Sequence, residues 1–217
     1  MLEEVVALVA PPGCAVCGGG CEVRRRICER CEAELLGLPP VRSAVAHVDE
    51  TWSVAPYEGV ARRLIGALKF GARVALADEA AALIARRAPP TLLTGAIVPV
   101  PAAPLRRRRR GFDPAEALAA ALARRSGLSL APCLARSQSS RQVGRHRAAR
   151  LADPPRVRAV SPAPSEVLLI DDVTTTGATL AACAEALRHA RAHRIGAITI
   201  AASRGDAARL GETATAA

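Results

Sequence analysis

Two groups of residues combine reactive types with meaningful spacing. The first is the run Val167-Leu168-Leu169-Ile170-Asp171-Asp172-Val173-Thr174-Thr175-Thr176-Gly177-Ala178-Thr179. Four apolar residues end in two acids, and a Thr/Gly loop then opens a helical stretch. At a helix N-terminus the dipole and the unpaired N–H groups hold an anion. Gly177 lets the backbone approach that anion closely. Acids at the carboxyl end of a strand accept hydrogen bonds from vicinal hydroxyls, and open α/β sheets bind their ligands at that end. Together these features describe a phosphosugar site. The plain alternative is a strand-to-helix turn with acidic caps, and a match over the whole run in this context weighs against it.

The second group is cysteine. Seven are present, and Cys14, Cys17, Cys21, Cys28 and Cys31 crowd one stretch. Cys14/Cys17 and Cys28/Cys31 each have C-x2-C spacing. Such a turn places two thiolates on one side of a tight bend, so two turns complete a tetrahedral, all-sulfur zinc site. Gly13, Gly18, Gly19 and Gly20 supply the backbone freedom. Four thiolates leave no open coordination position, so the zinc is expected to be structural. A disulfide cluster is the competing reading, and a cytosolic chain disfavours it. Cys21 is a spare, and Cys133 and Cys183 are expected to be buried as small hydrophobes.

The strand-loop-helix resembles the phosphoribosyl pyrophosphate (PRPP) signature of type I phosphoribosyltransferases. The resemblance implies that Asp171 and Asp172 bind the ribose hydroxyls, in part through Mg2+. It implies that Thr174, Thr175, Thr176, Gly177 and Thr179 hold the 5′-phosphate, although an apolar residue is common at position 174. Adding the paired C-x2-C turns makes the chain similar to the ComF family. Tyr57-Glu58-Gly59, Leu68-Lys69-Phe70, Val98-Pro99-Val100-Pro101, Arg110-Gly111-Phe112, and Gln142 with Arg150 agree with it. Asp113 and Asp153 stand where Asn is usual or frequent in that family. The likeness spans residues 5–205. It implies a pyrophosphate loop at Val100-Pro101-Ala102-Ala103-Pro104, a role for Arg110, and a lid over residues 135–158 carrying Arg136, Gln142 and Arg150. Lids exclude water from a reactive sugar cation.

These residues need a scaffold. Residues 2–9 read as a short helix and 44–57 as one or two strands. Helices are expected over 60–70 and 74–88, and a buried parallel strand at Ile97–Pro101. Asp113-Pro114 reads as the cap and first position of a helix running to about 125. Residues 135–158 read as a long surface loop. A strand at Val167–Ile170, a helix over 178–191 and a strand at Ile195–Ala202 follow, with a frayed tail over 205–217. Alternating strands and helices imply an α/β fold with a mainly parallel sheet flanked by helices. The expected domains are a helix and four-cysteine zinc knuckle over 1–40, a phosphoribosyltransferase-like domain over 41–205, and a tail over 206–217.

The chain has 217 residues, half of them hydrophobic and only 2% aromatic, so its core must be built from Ala, Leu, Val and Ile. No apolar run approaches the roughly 20 residues that cross a bilayer. The start, Met1-Leu2-Glu3-Glu4, lacks a basic signal region, and the expectation is a cytoplasmic protein. The net charge is +10, and Lys69 is the single lysine among 30 basic residues. Arg excess reads either as solvated helix faces or as phosphate and nucleic-acid binding. Few aromatics argue against single-strand binding by base stacking. A lysine kept where Arg is so heavily used points to a specific role.

Two readings follow. One is a Mg-dependent enzyme moving a phosphoribosyl group from PRPP to a small-molecule acceptor under a hood from residues 40–60, releasing pyrophosphate. The other is a non-catalytic competence protein serving DNA uptake, with DNA or the competence machinery as partner. A PRPP-sensing regulator is a third, without a DNA-binding motif to support it.

Overall fold

The computed structural model describes residues 13–70, 74–103, 111–136 and 155–203. In chain order the elements are α1 (Glu29–Gly37), β1 (Val41–Arg42), β2 (Glu50–Pro56), α2 (Gly59–Phe70), α3 (Val74–Arg87) and β3 (Ala96–Pro99). There follow α4 (Pro114–Ser126), β4 (Leu134–Arg136), β5 (Val157–Ala159), β6 (Glu166–Thr174), α5 (Ala178–His189) and β7 (Arg194–Ala202).

Five strands form one sheet in the order β1-β2-β7-β6-β3, and β4 pairs with β5 separately. The β2/β7, β7/β6 and β6/β3 pairs are parallel, and only β1 runs antiparallel, on the edge. The reason is visible in β6 and β7. Both are apolar on both faces, as parallel strands covered on two sides must be. Their alternation sorts the side chains into two cores. Leu168, Ile170, Ile198 and Ile200 pack with Leu64, Leu68, Ile84 and Leu122 of α2, α3 and α4. Val167, Leu169, Ile195 and Ala197 pack with Leu180, Cys183 and Leu187 of α5. Cys133 and Cys183 are buried, as their surroundings in the sequence predict.

The helices expected at 60–70 and 74–88 are α2 and α3. Asp113 caps α4 as predicted, accepting from the amides of Ala115 and Glu116, with Pro114 at the first position and Gly127 closing the helix at φ 71°. Several boundaries differ from expectation. β6 runs four residues past Ile170, because Asp171, Val173 and Thr174 stay paired to Thr199, Ala201 and Ala202. Within 44–57 only Glu50–Pro56 is a strand. The ends of the expected 135–158 loop form an antiparallel ribbon, Leu134 opposite Ala159 and Arg136 opposite Val157. Three-residue strands with interleaved arginines are too short for a period-two pattern to register. The expected helix at 2–9, the body of the 135–158 loop and the 205–217 tail lie outside the described residues.

Parallel strands share one carboxyl edge. Here it gathers the ends of β2, β3 and β6, so Tyr57, the Val100–Ala103 connection and the Asp171–Gly177 stretch meet there. Among the described residues no helix is long and apolar enough to cross a membrane.

Candidate functional site

A cavity of about 430 Å3 opens at that edge. β6 brings Asp171 and Asp172 to it, the loop after β6 brings Thr175 and Thr176, and the first turn of α5 brings Ala178 and Thr179. Val100 and Pro101 line it from the end of β3, and Arg136 from the end of β4. Tyr57, Lys69 and Asp113 lie on the same wall.

The acid pair is built tightly. Asp172 is 7% exposed. Its amide donates to Asp171 Oδ1 at 2.8 Å. Burial pushes the Asp171 carboxyl well above the usual carboxylate range, and the neighbouring Asp172 charge adds to this. The Asp172 amide and the Lys69 ammonium oppose the shift without cancelling it. Two adjacent carboxylates in a dry wall repel, and a cation relieves them. That cation is present: Lys69 Nζ, in the last turn of α2, lies 3.0 Å from Asp172 Oδ2. The sequence singled Lys69 out by its rarity and could assign it no partner.

The anion end is also ready-made. Gly177 is the cap residue of α5, at φ 69°, and makes no side-chain cap hydrogen bond. First-turn amides left without a cap hold anions. A Cβ on Gly177 would sit 3.0 Å from Val45 Cγ2, in a conformation that side chains rarely adopt. Thr176 Oγ1 accepts from the Ala178 amide at 3.4 Å.

Thr174 is the exception among the expected phosphate residues. It is buried as the last residue of β6, and its hydroxyl donates to Thr199 Oγ1 at 3.4 Å, which in turn meets Ser53 Oγ at 2.7 Å. The structure thus turns Thr174 into the sheet, away from the cavity. Arg110, Gln142 and Arg150 lie outside the described residues. Asp113 was legible in the sequence as a helix cap only, and its place on the cavity wall is new.

A second cluster lies in the N-terminal segment. The sulfurs of Cys14, Cys17, Cys28 and Cys31 lie within 4.8 Å of one another. Cys17 and Cys28 stand 3.7 Å apart. Tetrahedral geometry at a Zn–S bond of about 2.3 Å requires sulfurs roughly 3.8 Å apart, so the four fit a metal ion. The amides of Val16 and Cys28 donate to Cys14 Sγ at 3.4 and 3.3 Å. Burial resists ionisation of Cys14, but backbone N–H groups of Cys28, Cys17 and Val16 outweigh it and hold the thiol at about 6. Gly18, at φ 76°, closes the first turn by donating to the Cys14 carbonyl at 2.8 Å. Glu79 of α3 fastens the second turn, accepting from the amides of Arg26 and, at 2.8 Å, Ile27. Cys21 stays outside the set of four.

Residues 108–214 match the sequence model of the phosphoribosyl transferase domain family. That segment contains α4, β6, α5 and β7, and with them the acid pair and the Thr/Gly loop. No curated protein matches the chain. The chain thus combines a mostly parallel sheet flanked by helices, a segment that matches the phosphoribosyl transferase domain family, and a cysteine cluster able to bind a metal ion near its N-terminal end.

Proposed function

We propose that this chain is a ComF-type phosphoribosyltransferase that binds PRPP with Mg2+ and transfers its phosphoribosyl group to a nitrogen nucleophile. One observation carries the reading: the acid pair of β6 and the N-terminus of α5 open onto the same cavity. Asp171 and Asp172 take the ribose hydroxyls. Thr175, Thr176, Thr179 and the α5 amides take the 5′-phosphate. The Val100-Pro101 turn faces the diphosphate, and Arg136, with Arg110, Gln142 and Arg150, belongs to its closure. The C1–O bond breaks, the diphosphate leaves with the bonding electrons, and the acceptor nitrogen bonds C1 with inversion. Mg2+ bound with the substrate would neutralise the diphosphate and make it a better leaving group.

Calorimetric titration of the protein with PRPP tests this. Saturable binding with Mg2+, weakened at least about tenfold in Mg2+-free buffer that leaves the zinc in place, is the expected result. A folded, metal-loaded protein that ignores PRPP in the presence of Mg2+ sinks the proposal. The net charge of +10 favours a second reading, a DNA-uptake accessory. Alanine substitution of Arg106 to Arg110 separates the two. A uniform loss of DNA binding with no effect on PRPP supports the accessory role.

The cysteine cluster is proposed as structural zinc. Its binding free energy is folding free energy for the segment, on the order of 10 kcal/mol for such sites. Protein made with zinc available should carry one zinc per chain by elemental analysis. The Cys28→Ser/Cys31→Ser variant should carry none and expose its N-terminal segment to protease. Full zinc retention in that variant would rule out these ligands.

A further inference from the structure

Asp113 does two jobs with one carboxylate. Its Oδ1 accepts from the amides of Ala115 at 3.1 Å and Glu116 at 3.5 Å, capping α4. Its Oδ2 accepts from the amide of Ala102 at 3.2 Å, in the connection that follows β3. Ala102, Pro101 and Asp113 all line the cavity. Two basic residues, Lys69 and Arg136, line the same cavity, and Lys69 is engaged by Asp172.

The helix cap does not require this charge. Asn caps a helix as well as Asp does. An amide oxygen, however, cannot serve the α4 amides and Ala102 from two separate acceptor atoms, as a carboxylate does. The carboxylate therefore withholds one backbone donor from any ligand in the connection and places a negative charge on the wall there. Both effects penalise a bare polyanion. A cation travelling with the anion removes the penalty, because it meets the carboxylate with the opposite sign.

We propose that Asp113 sets the charge selectivity of the diphosphate end of the cavity, rejecting free diphosphate and admitting it when it carries a divalent cation. The inference rests on the PRPP reading above and deepens it. It makes Asp113 a specificity residue for the form in which the substrate arrives.

Inorganic pyrophosphate is the probe, titrated by calorimetry into wild type, Asp113→Asn and Asp113→Ser, each with Mg2+ and each in Mg2+-free buffer that leaves the zinc in place. Asn and Ser both cap helices without charge, so melting curves should stay close to wild type. Wild type should bind pyrophosphate far better with Mg2+. Both variants should bind free pyrophosphate roughly tenfold or more tighter than wild type, since a like charge a few ångströms away has been removed. The Mg2+ requirement should shrink by the same factor. If wild type binds Mg-pyrophosphate and the variants keep its full Mg2+ requirement, the inference fails while the PRPP reading stands. If no protein binds pyrophosphate in either condition, both fail.

Discussion

Asp171→Asn/Asp172→Asn should bind PRPP at least about a hundredfold more weakly than wild type, with its fold intact. Hydrogen bonds to a charged acceptor contribute about 1.5–3 kcal/mol each, and the proposal gives this pair two ribose hydroxyls, with the Mg2+ that arrives with PRPP favouring the ionised form of both acids. Losing both exceeds the roughly 2.7 kcal/mol that corresponds to a hundredfold. The stability side separates a ligand role from a structural one. Burial and the Asp172 charge already drive Asp171 toward its neutral form. A neutral amide at 171 therefore relieves repulsion and should not lower the melting temperature. The amide at 172 removes the partner of Lys69 and acts in the other direction. The two changes should largely cancel in the double variant. Calorimetry and thermal melts on the two single variants and the double check this. Unchanged PRPP affinity in the double variant would refute the assignment of the acids.

Much of this arrangement is legible in the sequence, and the reasons are local. The β6 to α5 segment announces itself because an apolar run, two acids and a Gly at a positive φ follow each other without a break. The α4 cap is equally local, since Asp113-Pro114 encodes both its acceptor and its first turn. The cysteine pairs need only their own turns to converge. What the sequence hides is whatever depends on strand order. Tyr57 and Lys69 reach the cavity only because β2 lies beside β7 and α2 packs on the same face as α4. The paired role of Asp113 depends on Ala102, which a strand and a turn place beside it. Thr174 shows the opposite error. The motif groups it with Thr175 and Thr176, but strand pairing with Ala202 continues through it and turns its hydroxyl inward.

The arginines divide in a similar way. Charge counting treats them as one pool, whereas several are used up by the fold. Arg87 donates to the Leu35 carbonyl at 3.1 Å and to that of Leu38, tying α3 to the end of α1. Arg188 donates to the His193 carbonyl and to Asp49, both at 2.6 Å, clamping the turn between α5 and β7. Arg124 pairs with Asp78 at 2.7 Å. A salt-dependent polyanion surface must therefore be sought in the remaining arginines, which narrows the DNA-uptake alternative.

Lys69→Met should destabilise the ligand-free protein by about 2 kcal/mol. Breaking a fully buried ion pair costs roughly 3–5 kcal/mol. The Lys69 side chain is 22% exposed, so solvent reduces the cost. The loss falls on Asp172, left buried beside Asp171 with its cation gone. If so, the pair is coupled: Lys69→Met in an Asp172→Asn background should cost about 1–2 kcal/mol less than in wild type. The ligand supplies a further test. Under the proposal, Mg2+ arriving with PRPP brings a replacement positive charge to the acids. Saturating Mg2+ and PRPP should then raise the melting temperature of Lys69→Met at least as much as that of wild type, narrowing the gap between them. Chemical denaturation of the four proteins of the cycle, with and without ligand, reads both effects. Strictly additive single-variant losses would show that the 3.0 Å contact carries no coupling. Lys69 would then be a bystander in the cavity wall, and its rarity in the sequence would have misled.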